Sequence, residues 1–192
     1  MSDERWRCFV AVLLGDNLRS RLGSAMAAWR ADPRTHELRW VEPGNLHVTL
    51  AFLGSIEPDR VAGVERKIQG AAARHEPMTR PTGRLGAFSR PGSARVLWYA
   101  VGDTDGALAS LTGDLADALE QPRDGEHRPH ITLARARRRS VDLRGWIEAA
   151  SAAAPSGSLE VREVHLMRSR LGGGPARYET LATIPLGVHS RV

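Results

Sequence analysis

Two short stretches of this chain match almost letter for letter, and that match constrains the fold more than any bulk property. The first reads His47-Val48-Thr49-Leu50-Ala51 and the second His130-Ile131-Thr132-Leu133-Ala134. Given one copy, a second arising by chance from this composition is roughly a one-in-several-hundred event, so duplication with a shared purpose is the better explanation. Both lie in runs of β-formers. Side chains alternate across a strand, so each histidine shares a face with the threonine two residues on. Val48, Leu50, Ile131 and Leu133 turn the other way, toward a core. A strand with one solvated face usually carries charges there, whereas these two faces begin with an imidazole and a hydroxyl.

The rest of the chain repeats in step with the tetrads. Arg5 to Leu14 reads as a strand, and Leu18, Leu22, Met26 and Trp29 then recur at helical spacing up to a stop before Pro33. The strand carrying His47 runs from Leu46 to Leu53 and is expected to stop at Gly54. Pro58 suits a first helical turn ahead of Val61, Val64 and Ile68, and a strand follows within Thr79 to Phe88. The order then recurs: a strand over Arg95 to Val101, and a helix capped by Asp103 or Thr104 and carrying Leu108, Leu111 and Leu115. The His130 strand from Pro129 to Ala136 and a helix capped by Ser140 come next. Strands over Leu159 to Met167 and Tyr178 to Leu186, joined by the turn Gly172-Gly173-Gly174-Pro175, close the chain. Strand, helix, histidine strand, helix, strand in each half predicts a pseudo-two-fold α+β fold. We expect one bilobal domain over residues 1–192, with two mainly antiparallel sheets flanking a central groove and helices outside.

Phosphodiester cleavage needs one group to take a proton from the attacking oxygen and another to give one to the departing oxygen. Histidine serves both needs because its ordinary pKa is about 6.5. Two histidines across one groove divide that work, and Thr49 and Thr132 can donate to non-bridging oxygens where charge gathers. No metal is called for. His127 and His130 are separated by Pro129, which argues against a helical metal face, and no acidic or cysteine cluster completes a site. No cofactor is expected. His36, His75, His165 and His189 lack the tetrad context and read as structural or exposed, and Cys8, the one cysteine, reads as core.

Net charge is +5, which favours polyanionic partners, and the densest basic run is Arg135 to Arg139. Arg135 is an odd number of residues from His130, so strict alternation turns it away from the histidine face. A bulge or the strand end would bring it back to pair with phosphate. Tyr178 opens the last strand, where it serves either as a base-stacking residue or as a core aromatic. No apolar stretch approaches the roughly 20 residues of a membrane span, and the N-terminal apolar run lacks a cleavage pattern. The expectation is a soluble, cytoplasmic monomer that does not engage membranes.

At these residues the sequence resembles the 2H phosphoesterase superfamily, and within it the RNA 2',3'-cyclic phosphodiesterases historically called 2'-5' RNA ligases. The likeness extends to Arg7 through Val12, to Leu38 through Gly54, and to Arg95-Val96-Leu97-Trp98. It also takes in Arg128 through Arg135, Leu166 through Ser169 and Tyr178 through Leu181. Cys8 departs mildly, since many relatives carry a bulkier apolar residue there. The resemblance implies a bilobal fold with facing histidines and hydrolysis of a terminal 2',3'-cyclic phosphate to a 2'-phosphate. His47 would be the proton donor to O3' and His130 the proton acceptor, with Thr49 and Thr132 holding the phosphate. Arg135 matches a family arginine that contacts it. The implied partner is RNA with a cyclic-phosphate end, tRNA fragments included, with 2'-5' ligation as a minor reverse activity. Two alternatives stand beside it: a small cyclic nucleotide or ADP-ribose cyclic phosphate as substrate, and a non-catalytic RNA-binding module.

Overall fold

The N-terminal apolar run forms β1 (Trp6–Leu13), which is buried on both faces, and Asp16–Arg30 forms helix α1. In the computed structural model residues 4–122, 128–170 and 176–187 are described. The glycine-rich turn at 172–175, His127 and His189 therefore lie outside the described residues. The remaining strands are β2 (Leu38–Trp40), β3 (His47–Ile56), β4 (Met78–Phe88), β5 (Val96–Val101), β6 (His130–Ala136), β7 (Gly157–Val161), β8 (Glu163–Arg170) and β9 (Arg177–Pro185). Helices α2 (Val61–Ala72), α3 (Ala107–Ala118) and α4 (Trp146–Ala152) complete the set.

Where two sheets are expected, the strands form one continuous nine-stranded antiparallel sheet. One lobe is built from β3, β1, β8 and β9, the other from β6, β5, β4 and β7, and the two meet where β3 pairs with β6 at Val48 and Ile131. Short β2 pairs with β6 alone. The lobes are not the two halves of the sequence, however. Strand β4, which closes the first half, pairs with β5 and β7 of the second lobe, while β8 and β9 return to β1 in the first. The first half thus gives one strand to the second lobe's sheet and the second half gives two to the first, which ties the lobes by backbone hydrogen bonds as well as by core packing.

Three local expectations change. Gly54 does not stop the second strand. It sits at φ +68 beside a register shift, so the chain bulges there and continues to Ile56. The stretch from Leu159 to Met167 is two strands, broken at Arg162, because its two ends pair in different lobes. Ser140 does not cap a helix. Val141 is drawn into a bridge with Ala94, Gly145 precedes α4, and the turn is held by Asp142 accepting from the Arg144 backbone at 3.0 Å. Asp103 does anchor its helix, its two oxygens accepting from the Leu108 and Ala109 backbones at 2.9 and 2.7 Å.

A continuous core of strand and helix side chains fills one face of the sheet. Val10, Val12, Val48, Ile131, Leu133 and Tyr99 meet the buried stripes of the helices there, and Trp29 of α1 meets Trp146 of α4 edge-on at 6.4 Å. A second, small cluster of Phe9, Ala11 and Met167, with Leu13 and Tyr178 at its margin, lies on the opposite side of β1. That second cluster floors the groove. Cys8 belongs to the main core, and burial pushes its thiol up to about 11, so it is an inert packing residue. No helix among the described residues is long and apolar enough to cross a membrane.

Candidate active site

The junction of the lobes is also where the tetrads meet. From the Val48 and Ile131 pair the antiparallel register places His47 across from Thr132 and Thr49 across from His130. The two imidazoles therefore occupy opposite corners of one patch, each facing the other tetrad's hydroxyl. Val48 and Ile131 are fully buried beneath it, while the two histidines and two threonines remain half-buried. The face assigned to these four from alternation is the one they occupy.

Each ring is held in the same way. His47 Nδ1 donates to the carbonyl of Asn45 at 2.7 Å, and His130 Nδ1 donates to that of Arg128 at 2.8 Å. A carbonyl oxygen can only accept, so the proton of the neutral ring sits on Nδ1 and Nε2 keeps its lone pair. Asn45 is fixed in turn, its Nδ2 donating to Ala176 O at 2.9 Å. Aromatic walls complete each mount: the His47 ring lies 5.0 Å from Phe9 and 5.2 Å, edge-on, from Tyr178, and the His130 ring lies 4.7 Å, edge-on, from Phe88.

Burial among these rings lowers the pKa of both histidines below the ordinary value, against the carbonyl contacts that favour the charged forms. Arg135 pushes both further down, and His130 adds to the effect on His47. One guanidinium thus acts on both imidazoles. It does so because β6 bulges: Thr132 pairs with Trp98 and Ala134 with Leu97, leaving Leu133 as the extra residue. Leu133 and Ala134 both turn into the core, and Arg135 returns to the histidine face. In β3 the same shift falls at Leu50, so that Phe52 returns to the groove side opposite Phe9.

Of the residues singled out from sequence, His47, His130, Thr49, Thr132 and Arg135 come together, and Tyr178 packs on His47 as a wall of the same groove. Phe9, Phe88, Asn45 and Phe52 were not foreseen. The first two look like ordinary core aromatics in sequence. The two anchoring carbonyls share a signal, since Asn45 and Arg128 each stand two residues before a histidine. Among the described residues no three His, Cys, Asp or Glu side chains gather as metal ligands. His75 is instead paired with Asp114 at 2.9 Å, and His165 is buried beside Thr183 and Glu163.

A curled antiparallel sheet with paired His-x-Thr strands at its junction and helices on the far face is the arrangement of the 2H phosphoesterases. The chain belongs to the 2'-5' RNA ligase superfamily, whose family model matches residues 18–173. It is 29% identical over 168 residues to the RNA 2',3'-cyclic phosphodiesterase of Archaeoglobus fulgidus, covering 86% of this chain and 92% of that one. Among solved structures, E. coli LigT complexed with 3'-AMP superposes with a TM-score of 0.70 at 27% identity, over 95% of this chain and 99% of that one. A Thermus thermophilus protein shares the fold with a TM-score of 0.74 at 24% identity, over 94% and 98% of the two chains.

Proposed function

We propose that this protein hydrolyses the 2',3'-cyclic phosphate at the end of an RNA strand to a 2'-phosphomonoester, without a metal ion. The observation that carries the reading is the twin mounting of the histidines. Each imidazole is fixed through Nδ1 to a carbonyl two residues back, which leaves both Nε2 atoms available to one phosphate. The activity named for the Archaeoglobus fulgidus relative and the 3'-AMP bound by E. coli LigT support the choice of a nucleotide phosphate.

In the proposed reaction His130 Nε2 takes a proton from water as the water oxygen bonds to phosphorus. The bond from phosphorus to O3' breaks, and protonated His47 delivers its proton to that oxygen. The ring opens, the 2' ester stays intact, and a proton exchanged through solvent resets the pair. Thr49 and Thr132 donate to the non-bridging oxygens, and Arg135 balances the charge that builds there. With a 5'-hydroxyl in place of water as the attacking group, the same steps open the ring into a 2'-5' linkage, the reverse of cleaving such a linkage to a cyclic phosphate, which we expect as a minor activity.

The test is an assay of the purified protein, with chelator present, on an oligoribonucleotide bearing a 2',3'-cyclic phosphate, with the monoester identified by phosphorus NMR. The expected product is the 2'-phosphate. Formation of the 3'-phosphate, or activity only with added metal, would reject the mechanism. His47→Ala and His130→Ala are each expected to lose at least about a hundredfold in kcat, the usual worth of an acid or base.

A further inference from the structure

Beside the histidines a cavity of about 540 Å³ opens, and Asn45, Arg135 and Tyr178 belong both to its lining and to the surroundings of His47. We infer that this cavity is a subsite for the nucleotide and phosphodiester immediately upstream of the reacting end, so that the protein selects a polynucleotide over a mononucleotide. The inference rests on the phosphodiesterase reading above and adds where the rest of the strand goes.

The argument begins with charge. Arg39 of β2 and Arg135 of β6 are direct cross-strand partners, so both side chains stand on one face, and both line the cavity. Like charges placed directly opposite destabilise a sheet. Arg137, two residues beyond Arg135, lines the same cavity. None of these three guanidiniums has an acidic partner among the described residues. The one carboxylate in the lining, Glu42, faces Arg30 at 3.9 Å. Three exposed guanidiniums gathered on one wall repel one another, and a polyanion laid against them turns that repulsion into attraction. The guanidinium fork matches phosphate oxygens in pairs.

Shape and direction agree. The volume is that of a small-ligand cleft, and half-buried Tyr178 supplies a flat apolar face on which a base or ribose can lie. A terminal cyclic phosphate uses both the 2' and 3' oxygens of its ribose. The strand can leave the site only through the 5' oxygen, so the next phosphate along must be the upstream one. Arg135 is one of the cavity's guanidiniums and also acts on both imidazoles, so the cavity is continuous with the place where the proposed mechanism sets the reacting phosphate.

The experiment compares kcat/KM for a cyclic-phosphate-terminated pentanucleotide with that for the matching mononucleoside 2',3'-cyclic phosphate, in wild type, Arg39→Ala and Arg39→Lys, across a salt series. Wild type is expected to prefer the pentanucleotide. Arg39→Ala should cut that preference about tenfold, mostly through the pentanucleotide KM, as loss of one charge-assisted contact does. It should also reduce the salt slope for the pentanucleotide by about one. Arg39→Lys should restore the slope and only part of the preference. Because the substitution relieves a like-charge pair, Arg39→Ala should melt no lower than wild type, and a clear drop in its melting temperature would overturn the argument. Equal turnover of both substrates by wild type, or an equal loss on both in Arg39→Ala, would overturn the subsite while leaving the phosphodiesterase standing. A wild type that cleaves neither substrate would overturn both.

Discussion

Phe52 and Arg135 stand at the same step beyond the two histidines, five residues along each strand and just past a one-residue bulge. The bulges fall at Leu50 and Leu133, so both side chains are carried back to the groove. There the symmetry ends. One lobe presents a cation at this place and the other an aromatic ring that is 64% exposed, the one large apolar side chain so exposed among the described residues. A symmetric scaffold has been given a direction, with a cation on the β6 side and an open flat surface on the β3 side.

An exposed ring at that place contributes little to folding, so Phe52→Ala should change the unfolding free energy read from urea denaturation by no more than about 0.5 kcal/mol. If the ring stacks on a base of the bound strand, its removal should raise KM for an oligonucleotide substrate by about fivefold or more, since one base stacked on an aromatic is worth about 1–3 kcal/mol. Steady-state kinetics on a cyclic-phosphate oligonucleotide decide the matter. An unchanged KM with reduced kcat would mean that Phe52 acts by holding Phe9 and His47, not by touching substrate.

Arg135 acts on both imidazoles, which makes its removal legible in a pH profile. A nearby cation disfavours each imidazolium, so Arg135→Ala should raise the pKa of both histidines toward the ordinary value. Both limbs of the kcat/KM profile should therefore move to higher pH while its height falls, because the phosphate loses a counter-charge. A profile that drops without moving would place the guanidinium too far from the imidazoles to matter to them.

Period-two alternation made the histidine and threonine faces readable from sequence, because a strand leaves no choice about where residues two apart point. The bulges were not readable, although they left a trace. In both tetrads an apolar pair, Leu50-Ala51 and Leu133-Ala134, interrupts the alternation, and both members are buried. Bulges need no diagnostic residue, so the trace is ambiguous without the partner strand, and the position of Arg135 stayed open. Strand exchange between the lobes was hidden for a different reason. Whether β4 pairs with β5 or with β1 is decided by contacts far apart in the chain, to which local composition is blind. Three-residue β2, which carries Arg39 to its place opposite Arg135, is too short to announce itself.

Gly86 offers a test of how His130 is supported from behind. It pairs directly with Trp98, and a Cβ at Gly86 would fall 2.2 Å from Trp98 Cη2, so the indole lies across the bare backbone. Trp98 packs 5.6 Å from Phe88, which stands edge-on to His130. Gly86→Ala must displace the indole, at a cost of about 1–3 kcal/mol for an overpacked site. Thermal melts should show that loss, tryptophan fluorescence should shift, and kcat should fall as the His130 wall moves. A variant with wild-type stability would show that Trp98 has room to swing aside.

The two histidines should also report each other directly. With Nδ1 donating to a carbonyl in both rings, nitrogen-15 spectra above the titration range should show the Nδ1-protonated tautomer for His47 and His130 alike. Both should titrate below the ordinary histidine value, because burial opposes the charged ring. Charge on one ring also resists charge on the other, so protons enter the pair in two linked steps. Replacing His130 with alanine removes that repulsion from His47, and the His47 midpoint should rise. Substrate carries the opposite sign: a bound phosphate anion favours the imidazolium, so the alkaline limb of kcat should lie above that of kcat/KM. A His47 midpoint that stays put in His130→Ala would mean the rings are too far apart to share one phosphate, and with that the two-histidine mechanism would fail at its geometric premise.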